Sequence, residues 1–404
     1  MRLLTACIIM IAIFSQCTPK DDNAQWRGPE RTGIYPEKNL LTQWPDSGPK
    51  LLWRFDELGQ GYASAAVTSN RVYTIGTVDS ISYVFTFDTN GKLLWKKDIG
   101  PDWMINWPGV RSTPNIHDGL GYILNGLGVL ICFSADNGDI VWQRDILKEF
   151  NGRNTEFGLS ENLLIDGDKL FCTPGGIENN VVALNRKTGE TIWTSKANSD
   201  STAYCTPILI ETGGKKFFIN QTDKSIFSLN AENGELAWKR ELKTTSHPST
   251  PVYRNGLLFA IDGGKSGSMM LKISENGSSI SEVWQNADLN SHFGHVVVLG
   301  DNIYGLCRGN KTFGCVDWNT GKQIVADSTK SRGIAVISDG EMLYNYDLNG
   351  EFKLVKPLND KFETKGSFKV KGGTNMHFSH PVIKDGKLYI RHDNSLFVYD
   401  VAKK

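Results

Sequence analysis

A polar turn that ends in Gly and leads into a Trp recurs along this chain, and recurrence at a fixed period leaves few folds open. It joins Phe87, Gly91 and Trp95, then Phe133, Gly138 and Trp142, then Leu184, Gly189 and Trp193, then Leu229, Gly234 and Trp238. A looser copy reaches Trp284, and another joins Val316, Gly321 and Val325. Equivalent positions stand 41 to 51 residues apart. Each unit also carries two earlier runs. One is a segment of small residues that often ends in Pro, as at Ser112 to Pro114, Cys205 to Pro207, Ser249 to Pro251 and Ser379 to Pro381. The other alternates apolar, β-branched and aromatic residues with polar ones, as at Arg71 to Ile75, Leu257 to Ile261 and Met342 to Tyr346. That period of two is the signature of strands, and no stretch shows a helical period.

Four short strands per unit of roughly 45 residues make a propeller blade, because one such sheet cannot bury both faces until its neighbours pack on it. First-strand segments begin near Tyr62, Arg111, Leu159, Tyr204, Ser249, Gly294, Gly333 and Phe378, which predicts eight blades. Fourth strands fall at Trp95, Trp142, Trp193, Trp238 and Trp284, near Val325 and at Gly366 to Val370. The last unit stops at Leu396 to Asp400 after three strands, and the strand it lacks stands at the other end of the chain, around Trp53. The predicted fold is all-β: an eight-bladed β-propeller of four-stranded antiparallel blades over residues 49–404, closed by the N-terminal strand. Gly supplies the positive torsion that the turn before each fourth strand needs. Trp is large enough to cover the gap between blades while its N–H bonds a neighbouring turn.

Ahead of the repeats, Met1 and Arg2 precede an apolar run from Leu3 to Phe14 and a Cys at position 17, after which the chain turns polar. This run is too short to span a bilayer and reads as a secretory signal. The Cys at its break makes residues 1–16 a lipoprotein signal peptide and Cys17 the acylated residue, which would tether the chain to the membrane. An ordinary signal with an incidental Cys is the alternative. Residues 17–48 lack strand alternation and read as a lipidated N-terminus and linker, able to hold the disc roughly tens of Å away. The chain carries 44 basic and 44 acidic residues, so nothing points to a nucleic-acid partner. Cys132, Cys172, Cys205, Cys307 and Cys315 each sit in an apolar strand context, as small buried hydrophobes do. Cys307 and Cys315 flank a hairpin turn and are the one pair placed for a disulfide.

The repeat of an apolar residue, Asp or Asn, a Gly turn and a Trp resembles the tryptophan-docking repeat of the pyrroloquinoline quinone (PQQ) dehydrogenase superfamily. That superfamily includes quinoprotein dehydrogenases and the non-enzymatic BamB-like lipoprotein scaffolds. The leader from Trp26 to Pro36 and the segment Gly61 to Val67 look like those of exported PQQ-like, BamB-like proteins of the Bacteroidetes type. Lys20, Asp21 and Asp22 resemble the short acidic tag of lipoproteins displayed on the cell surface, with a solvated linker as the plainer reading. The resemblance implies the cell envelope, at the periplasmic face of the outer membrane or the cell surface, and a protein partner. It implies PQQ with Ca²⁺ only if the chain is an alcohol or sugar dehydrogenase. Against that stand the lack of adjacent Cys residues and of a haem-attaching Cys-x-x-Cys-His sequence. A non-catalytic binding or scaffold protein without cofactor or metal is the expectation, with the quinoprotein oxidoreductase and a carbohydrate-binding propeller as alternatives.

The segments entering the first strands should converge on the mouth of the central channel, where several polar and aromatic groups could bind a protein or small ligand. Aligned on the Pro positions, His247, His292 and His377 take equivalent places, with Trp107, Arg111, Glu156, Tyr204, His295, Arg332 and His380 nearby. Solvation of a wet channel accounts for polar residues there equally well.

Overall fold

Eight four-stranded antiparallel sheets make up the molecule, in the order the repeats require. The computed structural model describes residues 22–263, 266–291, 295–307, 312–329, 331, 333–373 and 375–404. Blades one to seven occupy residues 66–101, 115–145, 164–195, 208–241, 252–286, 296–328 and 334–369. Blade eight takes its first three strands from residues 382–400 and its outermost strand from Lys50–Phe55, which pairs with Ser395–Asp400 from Lys50 opposite Asp400 to Phe55 opposite Leu396. The predicted closure by the strand around Trp53 is therefore what the chain does. The one helix among the described residues is a single turn, Ile146–Glu149, between blades two and three; the Asp145 carboxylate accepts the Lys148 N–H at its start.

The Gly and Trp of the motif meet across blade boundaries. A Cβ added at Gly189 would lie 2.9 Å from the Trp142 ring, and at Gly234 2.7 Å from the Trp193 ring. At Gly321 it would lie 2.6 Å from Trp284. The same Trp donates its indole N–H to a carbonyl of the facing turn: Trp142 to Arg186 at 2.9 Å, Trp193 to Ala231 at 3.3 Å and Trp284 to Trp318 at 3.0 Å. The glycine is required twice, by its positive φ and by the indole lying on it. Trp238 departs from the pattern, since Gly277 in the next blade faces Phe217 instead and the Trp238 N–H is buried without a partner.

The segments of small residues stitch the blades together around the channel. The His380 N–H donates to Ser64 Oγ at 3.0 Å, the Ser64 N–H to Thr113 Oγ1 at 3.1 Å, and the Thr113 N–H to Asn162 Oδ1 at 2.7 Å. Asn162 Nδ2 then donates to Thr206 Oγ1 at 3.0 Å, and Ser249 Oγ to the Ser291 carbonyl at 2.5 Å. Buried first strands leave one edge unpaired toward the channel, and short hydroxyl and amide side chains meet that demand without filling it.

Two expectations give way here. Residues 22–48 are not a free spacer. Ala24 bridges to Ile116, Ile34 to Ser338 and Leu40 to Ala402, while Trp26, Tyr35, Leu40 and Trp44 are buried. Cys307 and Cys315 form no disulfide: Cys307 stands opposite Thr312 and Cys315 opposite Tyr304, so the ladder keeps them out of register, and all five cysteines among the described residues are free and buried. Gly321→Ala should destabilise by about 2–4 kcal/mol, because the methyl meets an indole in a strained torsion, whereas Gly300→Ala, with open space around it, should cost only about 1 kcal/mol. Denaturant unfolding of the two variants checks the difference.

Candidate functional site

The channel has two dissimilar ends, and the leader makes them so. Asp22 caps the turn of blade one by accepting from the Ser69 N–H at 2.7 Å, and Asn23 accepts from the Asp118 N–H of the corresponding turn in blade two at 3.2 Å. From that turn face the chain enters the channel. Arg27 donates to the carbonyls of Val336 at 3.1 Å and Val296 at 2.6 Å, in blades seven and six, and to His380 Nδ1 at 3.1 Å. Arg31 reaches the opposite wall, donating to the carbonyls of Asn162 at 3.1 Å and Leu163 and to Gln25 Oε1 at 2.8 Å. The two side chains are only 2% and 6% exposed. Burial lowers both guanidinium pKa values to about 10, which leaves them charged. The leader then leaves between blades seven and eight, where the Tyr35 N–H donates to Ser338 at 2.8 Å and the Trp44 N–H to Lys365 at 2.9 Å.

His295 and His380, placed at the mouth by their sequence position, sit inside this plug. Their rings lie 4.9 Å apart, and Trp26 meets them edge-on at 4.8 and 5.4 Å. Because arginine only donates, His380 Nδ1 accepts and its proton is on Nε2; burial holds its pKa well below the ordinary value. His247 and His377 occupy equivalent connections but do not converge. His247 Nε2 donates to the Thr244 carbonyl at 2.8 Å. His377 stacks on His392 with centroids 3.4 Å apart and bonds Tyr346, and burial lowers its pKa to about 3. His292, Arg332 and Cys17 lie outside the described residues.

The other four predicted residues gather on the loop face, at the end the leader leaves open. Trp107, 40% exposed, meets Phe378 at 5.5 Å and Tyr62 at 6.4 Å, and Phe378 meets Tyr62 at 5.5 Å. The Arg111 guanidinium lies 5.9 Å from the Tyr62 ring and donates to the carbonyls of Asn106 and Trp107, both at 2.6 Å. Asn106 Nδ2 donates to the Glu156 carbonyl at 3.3 Å, and Phe157 packs beside Tyr204 at 6.0 Å. Around them Ile105, Ile177 and Met376 are 75, 59 and 46% exposed. An open depression of about 650 Å³ lies elsewhere, between Pro45 to Leu51 of the leader and Phe368, Lys371 and Tyr399.

Four residues that the sequence does not single out as site residues belong to this picture. Tyr62 and Phe378 stand in the sequence only as starts of strands, yet they carry the aromatic cluster. Arg391, fully buried between blades eight and one, donates Nη2 to the Gly59 carbonyl at 3.2 Å and leaves Nε and Nη1 without partners. Glu161 in the channel wall accepts from the Thr173 N–H at 3.1 Å, and burial raises its pKa to about 8.

A family model described as outer membrane protein assembly factor BamB matches residues 81–324. The chain belongs to this BamB family. The BamB of Shewanella oneidensis is 23% identical over 282 residues, 68% of this chain and 66% of that protein. The quinoprotein alcohol dehydrogenase PedH of Pseudomonas putida is 26% identical over 188 residues, 42% of this chain and 30% of that protein. These matches thus span about a third to two thirds of the relatives' own lengths. The crystal structure of BamB from Moraxella catarrhalis superposes with a TM-score of 0.61 at 16% identity, covering 87% of this chain and 97% of that one, which bears on the fold.

A quinone with its Ca²⁺, as the dehydrogenase relatives suggest, does not fit the channel axis of this chain. Trp26, Arg27 and Arg31 fill it, and among the described residues no cluster of three or more His, Cys, Asp or Glu side chains is spaced to hold a metal ion.

Two outcomes follow from the plug. Arg27→Met should free the front of the leader by leaving the Val336 and Val296 carbonyls unpaired, at about 1–3 kcal/mol each, so that trypsin cuts after Arg31 while Tyr35 to Trp44 and the propeller survive. Limited proteolysis followed by mass measurement reads this. An acid whose pKa rises on folding supports the fold below its unfolded pKa and loses that support as pH climbs through the folded value. Glu161→Gln should therefore leave Tm unchanged near pH 4 and raise it progressively up to pH 8, as thermal unfolding across that range checks.

Proposed function

We propose that this chain is a non-catalytic scaffold lipoprotein of the cell envelope, anchored through Cys17, that presents its loop face to a protein partner. The observation that carries this reading is the occupied channel. With the turn-face end filled by the leader, the chemistry left open to a partner is the shallow loop face, where exposed Ile105, Ile177, Met376 and Trp107 stand among Arg111 and Glu156. Scattered polar groups with large apolar and aromatic side chains on a flat surface are what protein interfaces use, whereas small ligands favour deep concave sites. The relatives named as outer membrane protein assembly factors fit a partner-binding role in the envelope. On this reading the chain works without PQQ or a metal.

Crosslinking and pull-down of the tagged chain from its own membranes tests it. Ile105→Asp with Ile177→Asp should reduce recovery of the partner by about tenfold, the scale of losing roughly 1.4 kcal/mol. Leu94→Asp on the outer rim should leave it unchanged. Equal recovery by all three forms would remove the loop face from the proposal, and dye reduction with PQQ, Ca²⁺ and alcohols would remove its non-catalytic part.

A further inference from the structure

We infer that the turn face of the disc is held against the membrane and that the loop mouth opens away from it, so that the partner is a domain standing in the aqueous phase. The inference rests on anchoring at Cys17. Asp22 is fixed on the turn face by its carboxylate, which accepts from the Ser69 N–H at 2.7 Å and from the Ser69 hydroxyl at 2.6 Å. Ala24 is fixed by reciprocal bonds with Ile116 of 3.0 and 2.7 Å. Between Cys17 and Asp22 run five peptide links, which extend to at most about 17 Å however they are arranged. The spacer expected from the sequence would have allowed any orientation. A tether this short, less than the roughly 20 Å between the faces, cannot bring the loop face to the membrane.

The composition of the two faces agrees. The turns joining first to second strands expose Asn70, Asp118, Asp168, Lys215, Asp301 and Asp385. This is a hydrated surface with an acidic surplus, with nothing large and apolar to insert into lipid. It tolerates a headgroup layer and does not seek one. The large exposed side chains near the channel, Ile105, Trp107 and Met376, are on the opposite face. The outer strands expose a further belt of apolar residues around the rim, including Leu51, Leu94, Val141 and Ile192, each second in its strand and so at the turn-face end and away from the loop mouth. Six-residue strands separate the faces by roughly 20 Å. The mouth therefore stands beyond the reach of the lipid surface and faces partners in solution.

The experiment places p-azidophenylalanine at Glu275, exposed on the turn face, or at Ile177, exposed on the loop face, attaches a fluorophore there, and reads quenching by nitroxide-labelled lipid in vesicles. One arm uses the acylated protein purified from membranes. The other couples the thiol of Cys17, in a chain lacking residues 1–16, to a maleimide lipid; the five cysteines of the described residues are buried. Quenching at 275 should be at least about twice that at 177 in both arms, given the roughly 20 Å separation. Equal or reversed quenching in the coupled arm overturns the inference. An N-terminal peptide whose mass shows unmodified Cys17 overturns the anchoring on which it rests, and that result is separate from the first. Arg27→Met, which frees the front of the leader and lengthens the tether to Tyr35, should shrink the difference. A difference unchanged in that variant would also count against the docked leader as its cause.

Discussion

Everything in this molecule depends on one strand pairing, that of Lys50–Phe55 with Ser395–Asp400. Blade eight is incomplete without it, and the ring is open. The pairing is reinforced by packing that belongs to neither strand alone. Phe55 meets Phe87 at 4.9 Å and Phe85 at 5.9 Å, and Trp53 meets Phe87 at 5.8 Å, so the closing strand is clamped to the hairpin of blade one. One buried cluster runs from Val72 and Phe87 of blade one through Leu388 and Val398 of blade eight to Tyr344 and Phe352 of blade seven. Tyr35, Leu40 and Trp44 of the leader are part of that same cluster. Closure and leader docking are thus one apolar assembly, which links the ends of the chain at the cost of a single long loop.

That closure dictates where the leader can go. Its last residues must arrive at the outer edge of blade eight, while Asp22 and Ala24 are pinned beside blades one and two. The route between runs through the channel and out between blades seven and eight. A backbone crossing a ring of first strands confronts unpaired carbonyls on every side, and leaving several of them buried and unmatched would cost about 1–3 kcal/mol each. Arginine meets this with five donors on one planar group. Arg27 serves blades six, seven and eight, and Arg31 serves blade three, so the two side chains brace opposite walls. Lysine has three donors at a point and could not span them.

The fold was legible because propeller geometry repeats, and each repeat wrote the same demands into the chain. The turn that packs on an indole can hold only Gly, and the segment leading into each first strand favours small residues that bond across to the next blade. Trp107, Arg111, Glu156 and Tyr204 could be placed on one face for a related reason, since the connections that carry them recur at fixed offsets from the Trp positions. The leader has no period, and lack of alternation looks the same in a docked segment as in a free one. Its composition separates the two. Trp26, Tyr35, Leu40, Leu41 and Trp44 within about twenty residues are too much apolar surface for a solvated linker. Sequence position alone puts His295 and His380 at the mouth, whereas the leader seals them under Trp26. Glu161 and Arg391 gave no signal, since an isolated charged residue in a strand context cannot be told from one at the surface without its neighbours.

The plug also explains how this chain can share a fold with dehydrogenases and offer a different surface. A propeller with a free axis provides a deep, enclosed site around which blades contribute ligands, and chemistry on a bound cofactor needs that enclosure. Filling the axis with the chain's own Trp26, Arg27 and Arg31 exchanges the enclosed site for rigidity. What remains outside is a broad loop face backed by a core that cannot relax inward. Preorganised surfaces lose less entropy on association, so a shallow face on such a disc can bind a protein through a few exposed apolar residues where a mobile one would not. Ile105 and Trp107 stand on a connection whose Arg111 is tied to its own backbone at Asn106, Trp107 and Gly109. The exposed side chains are therefore presented from a braced loop.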